Sequence, residues 1–84
     1  MKYIVYMLKS EGYKPVTYVG YTNNMNNRLK LHNNGKGAKF TRGRKWKIIY
    51  KEKFSTKKEA ISREFFIKHN IAERNKIKKR YLWK

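Results

Sequence analysis

Five side chains within the first 64 residues of this 84-residue chain are of types that could take part in one reaction. They are two tyrosines in strand-like runs, an arginine and a histidine four positions apart, and a later glutamate: Tyr6, Tyr18, Arg28, His32 and Glu64. A guanidinium can hold a phosphate, an imidazole or phenol can orient or deprotonate water, and a carboxylate can bind a divalent cation. Together these groups suit metal-assisted cleavage of a phosphodiester bond.

Glu64 is the strongest single candidate. It follows Ile61 by three positions and Ala60 by four, so on a helix its side chain lies near the apolar stripe. A carboxylate there is costly to desolvate unless a positive charge meets it. That charge could be a hard cation such as Mg²⁺, bound through Glu64, waters and substrate phosphate, or a lysine or arginine in a plain salt bridge. The sequence leaves both interpretations open.

The arginine, histidine and tyrosines each have a second interpretation. Arg28 and His32 project from one face of a predicted helix, where they could hold a phosphate and activate water, or could form an exposed basic face without chemistry. Tyr6 and Tyr18 could orient or deprotonate water, but strand tyrosines more often pack in a core. Gly20, which ends an apolar strand, is typical of a close approach by backbone or ligand.

The charge of the chain indicates its partner. Lys and Arg number 23 against 5 acidic residues, a formal net charge of +18, which attracts nucleic acid. The sequence shows no lysine-rich helix with a broad apolar side of the kind that binds membranes. Residues 35–45 predict a basic loop around Phe40. This loop could contact phosphates and stack on an unpaired base, or it could be a solvated loop without a binding role. The predicted nucleic-acid contacts are Lys36, Lys39, Arg42, Arg44 and Lys68.

Composition excludes several other classes of site. Cysteine is absent, which removes disulfides, zinc-thiolate sites and cysteine nucleophiles, and two histidines make a multi-histidine metal site improbable. No apolar run approaches the roughly 20 residues that span a bilayer. The first residues resemble a strand more than a signal peptide, so a cytoplasmic protein is the simplest interpretation.

The elements that must position these residues follow from hydrophobic periodicity and from capping and turn signals. Residues 2–9 and 16–21 predict two strands joined by a hairpin loop, and 46–54 a third strand. A first helix is expected over 22–34, with Thr22 or Asn23 as its N-cap. A second helix should begin after a Thr56–Glu59 capping box and run to about residue 70. A third, basic helix is expected over 72–80. Aromatic and apolar residues at 81–83 are expected to hold the terminus onto the body. The chain predicts one small domain, a sheet with helices packed on it.

Several stretches in this order resemble the GIY-YIG nuclease family, and in particular its small standalone bacterial members. They are Ile4-Val5-Tyr6, Tyr18-Val19-Gly20, Arg28-Leu29 with His32-Asn33, residues 35–44 and residues 63–68. The resemblance implies an α+β fold, a small three-stranded antiparallel sheet flanked by helices in the order β-β-α-β-α-α. Ile4 departs from the family pattern, which has glycine there. The position contributes strand backbone and no side-chain chemistry, so the departure is tolerable. Tyr21 stands where some members have lysine, so that lysine's role has no counterpart here.

The resemblance also implies roles for the five residues. Tyr6 and Tyr18 would line the active site, one of them helping to deprotonate or orient water. Arg28 would bind the scissile phosphate, with His32 as base or phosphate ligand. Glu64 would hold a single Mg²⁺ or Mn²⁺.

The implied activity is a metal-dependent endonuclease of DNA, structure-directed or weakly specific, with a role in repair or recombination. Branched, single-stranded or otherwise structured DNA is the expected substrate, and DNA shape or a partner protein would supply specificity because no attached recognition domain is evident. Two alternatives stay open: a nucleic-acid-binding module without turnover, and a small basic RNA-binding protein of ribosome-associated type.

Overall fold

The structure, a computed structural model, describes residues 2–82 and contains one antiparallel sheet with helices on both faces. The strands lie in the order β2-β1-β3, and the chain order is β-β-α-β-α-α once a short 3₁₀ helix at Lys39–Thr41 is set aside. The predicted α+β class and sheet are therefore confirmed. The elements are β1 (Tyr3–Ser10), β2 (Thr17–Thr22), α1 (Met25–Asn33), β3 (Trp46–Phe54), α2 (Lys57–Lys68) and α3 (Ile71–Leu82).

The central strand β1 is buried on both faces because its apolar side chains alternate between two cores. Val5 and Met7 pack with Ala60 and Ile67 of α2 and with Ile77 of α3. The intervening Tyr6 and Leu8 pack on the opposite face with Met25 of α1 and with Trp46. Successive strand side chains point to opposite faces. Helix α1 therefore covers one face of the sheet, and α2 and α3 cover the other.

Helix ends follow capping chemistry, with one correction to the expected start of α1. The N-cap is Asn24, whose side chain accepts from the backbone N–H of Asn27 at 3.1 Å, so the expectation of Thr22 or Asn23 was wrong. The Thr22 hydroxyl oxygen instead accepts from the Asn24 N–H, which tightens the turn before the helix. At α2 the predicted N-cap is confirmed, because Thr56 accepts from the Glu59 N–H at 3.2 Å.

An ion-pair cluster fixes α2 against its neighbours. Arg63 donates to Glu52 on β3 at 3.0 Å and to Glu73 on α3 at 2.6 Å. The cluster ties three elements together at the position directly before Glu64. Next to it, the ring of Tyr81 meets Tyr50 edge-on at 6.0 Å, as expected for a residue that holds the terminus. The side chain of residue 82 and all of residue 83, which were expected to help, lie outside what the structure describes.

The segment expected to be a basic loop is more ordered than its composition suggests. It contains the 3₁₀ helix, and Thr41 at its end is fully buried. Trp46 closes the segment by donating its indole N–H to the Thr41 carbonyl at 2.9 Å. Within residues 2–82, none of the helices has the length and hydropathy that a bilayer crossing requires.

Candidate active site

A cleft of about 430 Å³ opens beside the edge strand β2, between α1 on one face of the sheet and α2 on the other. Four of the five predicted residues line it, namely Tyr6, Tyr18, Arg28 and Glu64. These residues come from β1, β2, α1 and α2. The fifth, His32, lies behind Tyr6 in the core.

Gly20 explains how a tyrosine from the central strand reaches a cleft at the sheet edge. Tyr6 and Gly20 are directly opposite in the β1–β2 ladder. A Cβ at Gly20 would lie 2.6 Å from the Tyr6 hydroxyl oxygen, closer than real side chains approach. The phenol can therefore cross β2 only because residue 20 has no side chain. The expected close approach at Gly20 is made by the Tyr6 side chain and not by backbone or a ligand.

His32 has no exposed surface, so the alternative of an exposed basic face is wrong for this residue. Its Nε2 lies 2.8 Å from the Tyr6 hydroxyl and its Nδ1 lies 2.9 Å from the Thr41 hydroxyl. Burial lowers the pKa of His32, and the positive charge of Arg28 lowers it further. The imidazole is therefore neutral near physiological pH, with one nitrogen free to accept a proton.

The Tyr6 hydroxyl forms the buried floor of the cleft. Burial raises the pKa of Tyr6, while the positive charge of Arg28 acts in the opposite direction. Because the pKa rises overall, the phenol keeps its proton in the resting protein. Tyr6 can still pass that proton to His32 while accepting another from the cleft.

Arg28 is placed to receive an anion. Its side chain lines the cleft and donates through Nη2 to the carbonyl of Gly37 at 3.5 Å. Its Nε is buried and has no hydrogen-bond partner among residues 2–82. A buried donor without a partner is costly, and a phosphate oxygen would satisfy it.

Glu64 forms the salt bridge that its sequence position allows, and it also faces the cleft. Its side chain is 17% exposed, lines the cleft and pairs with Lys68 one turn later at 3.6 Å. The Lys68 ammonium also lies 5.8 Å from the centre of the Tyr18 ring. The salt-bridge partner therefore lies next to two residues of the cleft.

The donor set of the cleft suits one hard cation. In the described part of the chain, no group of three or more His, Cys, Asp or Glu side chains could hold a metal ion. A site built on Glu64 alone fits Mg²⁺, which binds through one or two carboxylates and keeps several waters and substrate phosphates as ligands. Such a site would not fit zinc, which takes several nitrogen or sulfur ligands.

Sequence reasoning missed Lys57, which lines the cleft, and Thr41, which contacts His32. Lys57 lines the cleft two turns before Glu64, on the same face of α2. The seven-residue spacing between Lys57 and Glu64 could have indicated a shared helix face. It was not noticed because Lys57 is one of many basic residues. Thr41 contacts His32 across the core, and no sequence signal separates it from a loop threonine.

None of the five predicted nucleic-acid contacts is among the described residues that line the cleft. Lys36, Lys39, Arg42 and Arg44 are all exposed, as is Lys68. Phe40, in the same basic segment, is 57% exposed and stacks on Tyr18 with ring centres 6.1 Å apart. An exposed aromatic ring therefore extends the wall of the cleft into the basic segment. The binding role of these residues stays a prediction.

His32 should make stability depend on pH in a range where few other groups titrate. Its pKa is lower in the folded protein than in the unfolded chain, so acid favours the unfolded state, and stability is lost as pH falls below about 6.5. We expect the free energy of unfolding to decrease between pH 7.5 and 5.5 in urea titrations. His32→Gln should remove most of that dependence, and the matched variant His69→Gln, at an exposed position, should keep it. An unchanged dependence in His32→Gln would show that His32 is not the group responsible.

Comparisons with known proteins agree with this geometry. The GIY-YIG catalytic domain family matches residues 2–80 of the chain. The UPF0213 protein CPE1444 of Clostridium perfringens is 52% identical over 65 residues, which cover 76% of this chain and 68% of that protein. The UPF0213 protein SH2523 of Staphylococcus haemolyticus is 41% identical over 78 residues, 92% of each chain. In some other curated relatives the matched segment spans only about three fifths of the relative, 61% or 60%.

A solved structure is also similar. The solution NMR structure of the UPF0213 protein BH0048 from Bacillus halodurans superposes with a TM-score of 0.51 at 35% sequence identity. The match covers 90% of this chain and 80% of that one. The family match extends over nearly the whole described chain and includes every residue of the cleft. The chain therefore belongs to the GIY-YIG catalytic domain family, among relatives that are small UPF0213 proteins of bacteria.

Proposed function

We propose that this protein is a divalent-metal-dependent endonuclease that hydrolyses phosphodiester bonds in DNA. The observation that supports it most is the convergence of a phosphate-binding guanidinium, a proton-accepting phenol and a single carboxylate on one cleft, Arg28, Tyr6 and Glu64. Membership of a nuclease domain family agrees with it. In this site a fully buried histidine lies beside a partly buried arginine and a partly buried glutamate, a grouping typical of active sites.

The proposed phosphate position rests on Arg28, whose Nε has no hydrogen-bond partner among residues 2–82. A scissile phosphate bound there would lie beside the Tyr6 hydroxyl, with which Arg28 interacts. Positive charge at this position stabilises the negative charge that develops on phosphate oxygens in the transition state. Lys57 and Lys68 would contact neighbouring phosphates along α2.

Water activation runs through Tyr6 and His32. As the water oxygen forms its bond to phosphorus, its proton passes to the Tyr6 oxygen, and the Tyr6 proton passes across 2.8 Å to Nε2 of His32. The bond between phosphorus and the leaving oxygen breaks, and that oxygen takes a proton from solvent. This relay does not require Tyr6 to be deprotonated before the reaction, in agreement with its raised pKa.

Glu64 would hold a single Mg²⁺ or Mn²⁺ in this site. When bound, the ion polarises the phosphate and stabilises charge on the leaving oxygen. The carboxylate would exchange its contact with Lys68 for the cation. Lys68, freed from the ion pair, would then turn to the DNA backbone.

The substrate we propose is DNA with unpaired nucleotides near the cleft, branched or single-stranded. Phe40 is 57% exposed where it stacks on Tyr18, and aromatic stacking on an unpaired base is worth about 1–3 kcal/mol without reading its sequence. The surrounding lysines and arginines would bind phosphates, which makes affinity fall with salt. A role in DNA repair or recombination, cytoplasmic location and any partner protein that directs the enzyme belong to the same proposal.

The test is cleavage by the purified full chain. We expect nicking of supercoiled plasmid with Mg²⁺ or Mn²⁺ and none with EDTA, and faster cleavage of single-stranded or flapped oligonucleotides than of matched duplex. A labelled RNA hairpin is the control for the RNA-binding alternative. Tight binding of that RNA with no DNA cleavage in either metal would overturn the proposal. Tight DNA binding without cleavage would favour the non-catalytic module.

A further inference from the structure

We propose that Thr41 is a positioning residue that fixes which ring nitrogen of His32 carries the proton. Its hydroxyl, in the 3₁₀ helix, would hold that proton on Nδ1 and so leave Nε2 as the acceptor facing Tyr6. The assignment of the proton rests on geometry alone. Its consequence for cleavage rests on the proposed function.

The hydrogen bonds of Thr41 point to one arrangement of protons. A hydroxyl donates one proton, and the Thr41 hydroxyl lies 2.9 Å from the carbonyl oxygen of Ala38, which can only accept. The Thr41 oxygen also accepts the backbone N–H of Ala38 at 3.2 Å. With that proton directed at Ala38, the oxygen meets His32 Nδ1 at 2.9 Å as an acceptor, and Nδ1 is then the donor.

Burial enforces this arrangement. His32 and Thr41 are both 0% exposed, so bulk water cannot readily replace either partner. Gly37 closes over the ring, and a Cβ at that position would overlap the imidazole at Nδ1. A buried Nδ1–H without an acceptor would be costly, so the hydroxyl selects the tautomer.

The tautomer sets the direction of the Tyr6 proton. With the proton on Nδ1, the neutral ring has its lone pair on Nε2, and Tyr6 donates inward to it at 2.8 Å. The lone pairs of the Tyr6 oxygen are then available to accept a proton. With the proton on Nε2 instead, His32 would donate a hydrogen bond to Tyr6, and the phenol could not transfer its proton to His32. Thr41 therefore acts on the reaction through two intervening groups without touching substrate.

The primary test reads the tautomer directly. Long-range ¹H–¹⁵N NMR of the full chain at pH 7.5 should show His32 Nδ1 protonated and Nε2 unprotonated. Thr41→Val keeps the shape of the side chain but removes the hydroxyl, and should move the proton to Nε2 in all or part of the population. Thr41→Ser should restore the wild-type pattern. Protonation of Nε2 in the wild type, or a proton that stays entirely on Nδ1 in Thr41→Val, would refute the proposal.

Cleavage assays separate a positioning role from a structural one. We expect Thr41→Val to slow single-turnover nicking roughly 10- to 100-fold, with DNA affinity unchanged and Thr41→Ser close to wild type. Thermal unfolding of each variant shows whether it is folded. If Thr41→Val is unfolded, the spectra of the wild type and of Thr41→Ser still show which nitrogen of His32 carries the proton. If the tautomer changes as expected but no variant, wild type included, cleaves DNA, the proposed function fails while the role of Thr41 in fixing the proton stands. If Thr41→Val changes the tautomer but nicks at the wild-type rate, the catalytic part of the inference is wrong.

Discussion

Replacing Glu64 by glutamine should reduce nicking at least about 100-fold and leave DNA binding intact. The amide has the same shape but no charge, so it would bind a divalent cation poorly. Binding should persist because the surrounding lysines and arginines supply most of the attraction to phosphate. The measurements are single-turnover nicking at several Mg²⁺ concentrations and fluorescence anisotropy with a labelled oligonucleotide.

Two matched variants distinguish a metal ligand from a plain salt bridge. Glu59→Gln makes the same charge change on the same helix at an exposed capping position, and should nick like wild type. Lys68→Gln breaks the same ion pair from the other side. Surface ion pairs contribute about 0–1 kcal/mol, so neither Glu64→Gln nor Lys68→Gln should unfold the protein. Equal and small losses of activity in these two would mean that Glu64 serves only the salt bridge.

The fold was largely predictable because its signals are local. A continuous apolar run at Val5–Leu8 gave the central strand, and the Thr56 cap marked the start of α2. The cap of α1 was misplaced because several neighbouring polar residues could each serve as N-cap, and backbone geometry selected Asn24. The 3₁₀ helix at Lys39–Thr41 was missed because its order comes from tertiary contacts to His32 and Trp46.

The site was predictable as a set of residues and less so as a geometry. Periodicity placed Glu64 near an apolar face, and the order of the motifs related it to Tyr6 and Arg28. Nothing in the sequence could show that Tyr6 crosses β2 over Gly20, since that depends on strand register. His32 was assigned to the same helix face as Arg28, but the depth at which it is buried depends on how α1 packs on the sheet.

Replacing Tyr6 by phenylalanine is the second change from which we expect a large effect. The ring would keep its packing, but water would lose its proton acceptor, and nicking should fall by roughly 10²- to 10⁴-fold. Nε2 of His32 would be left buried without a donor, which should lower the free energy of unfolding by about 1–3 kcal/mol. Single-turnover rates and urea titrations measure the two effects, and cleavage must be measured under conditions where the variant is folded.

Tyr18→Phe is the matched control, since it removes a hydroxyl from the same cleft but keeps the stacking on Phe40. We expect it to lose less activity than Tyr6→Phe. Comparable losses in the two would contradict a special role for Tyr6.

A double-mutant cycle with His32→Gln tests the relay itself. If the proton leaves Tyr6 for His32, the two residues act in series, and the double variant should be little slower than the more impaired single one. Independent roles would instead multiply the two losses. Such multiplication, with all variants folded, would mean that the 2.8 Å hydrogen bond between Tyr6 and His32 only supports the structure of the site.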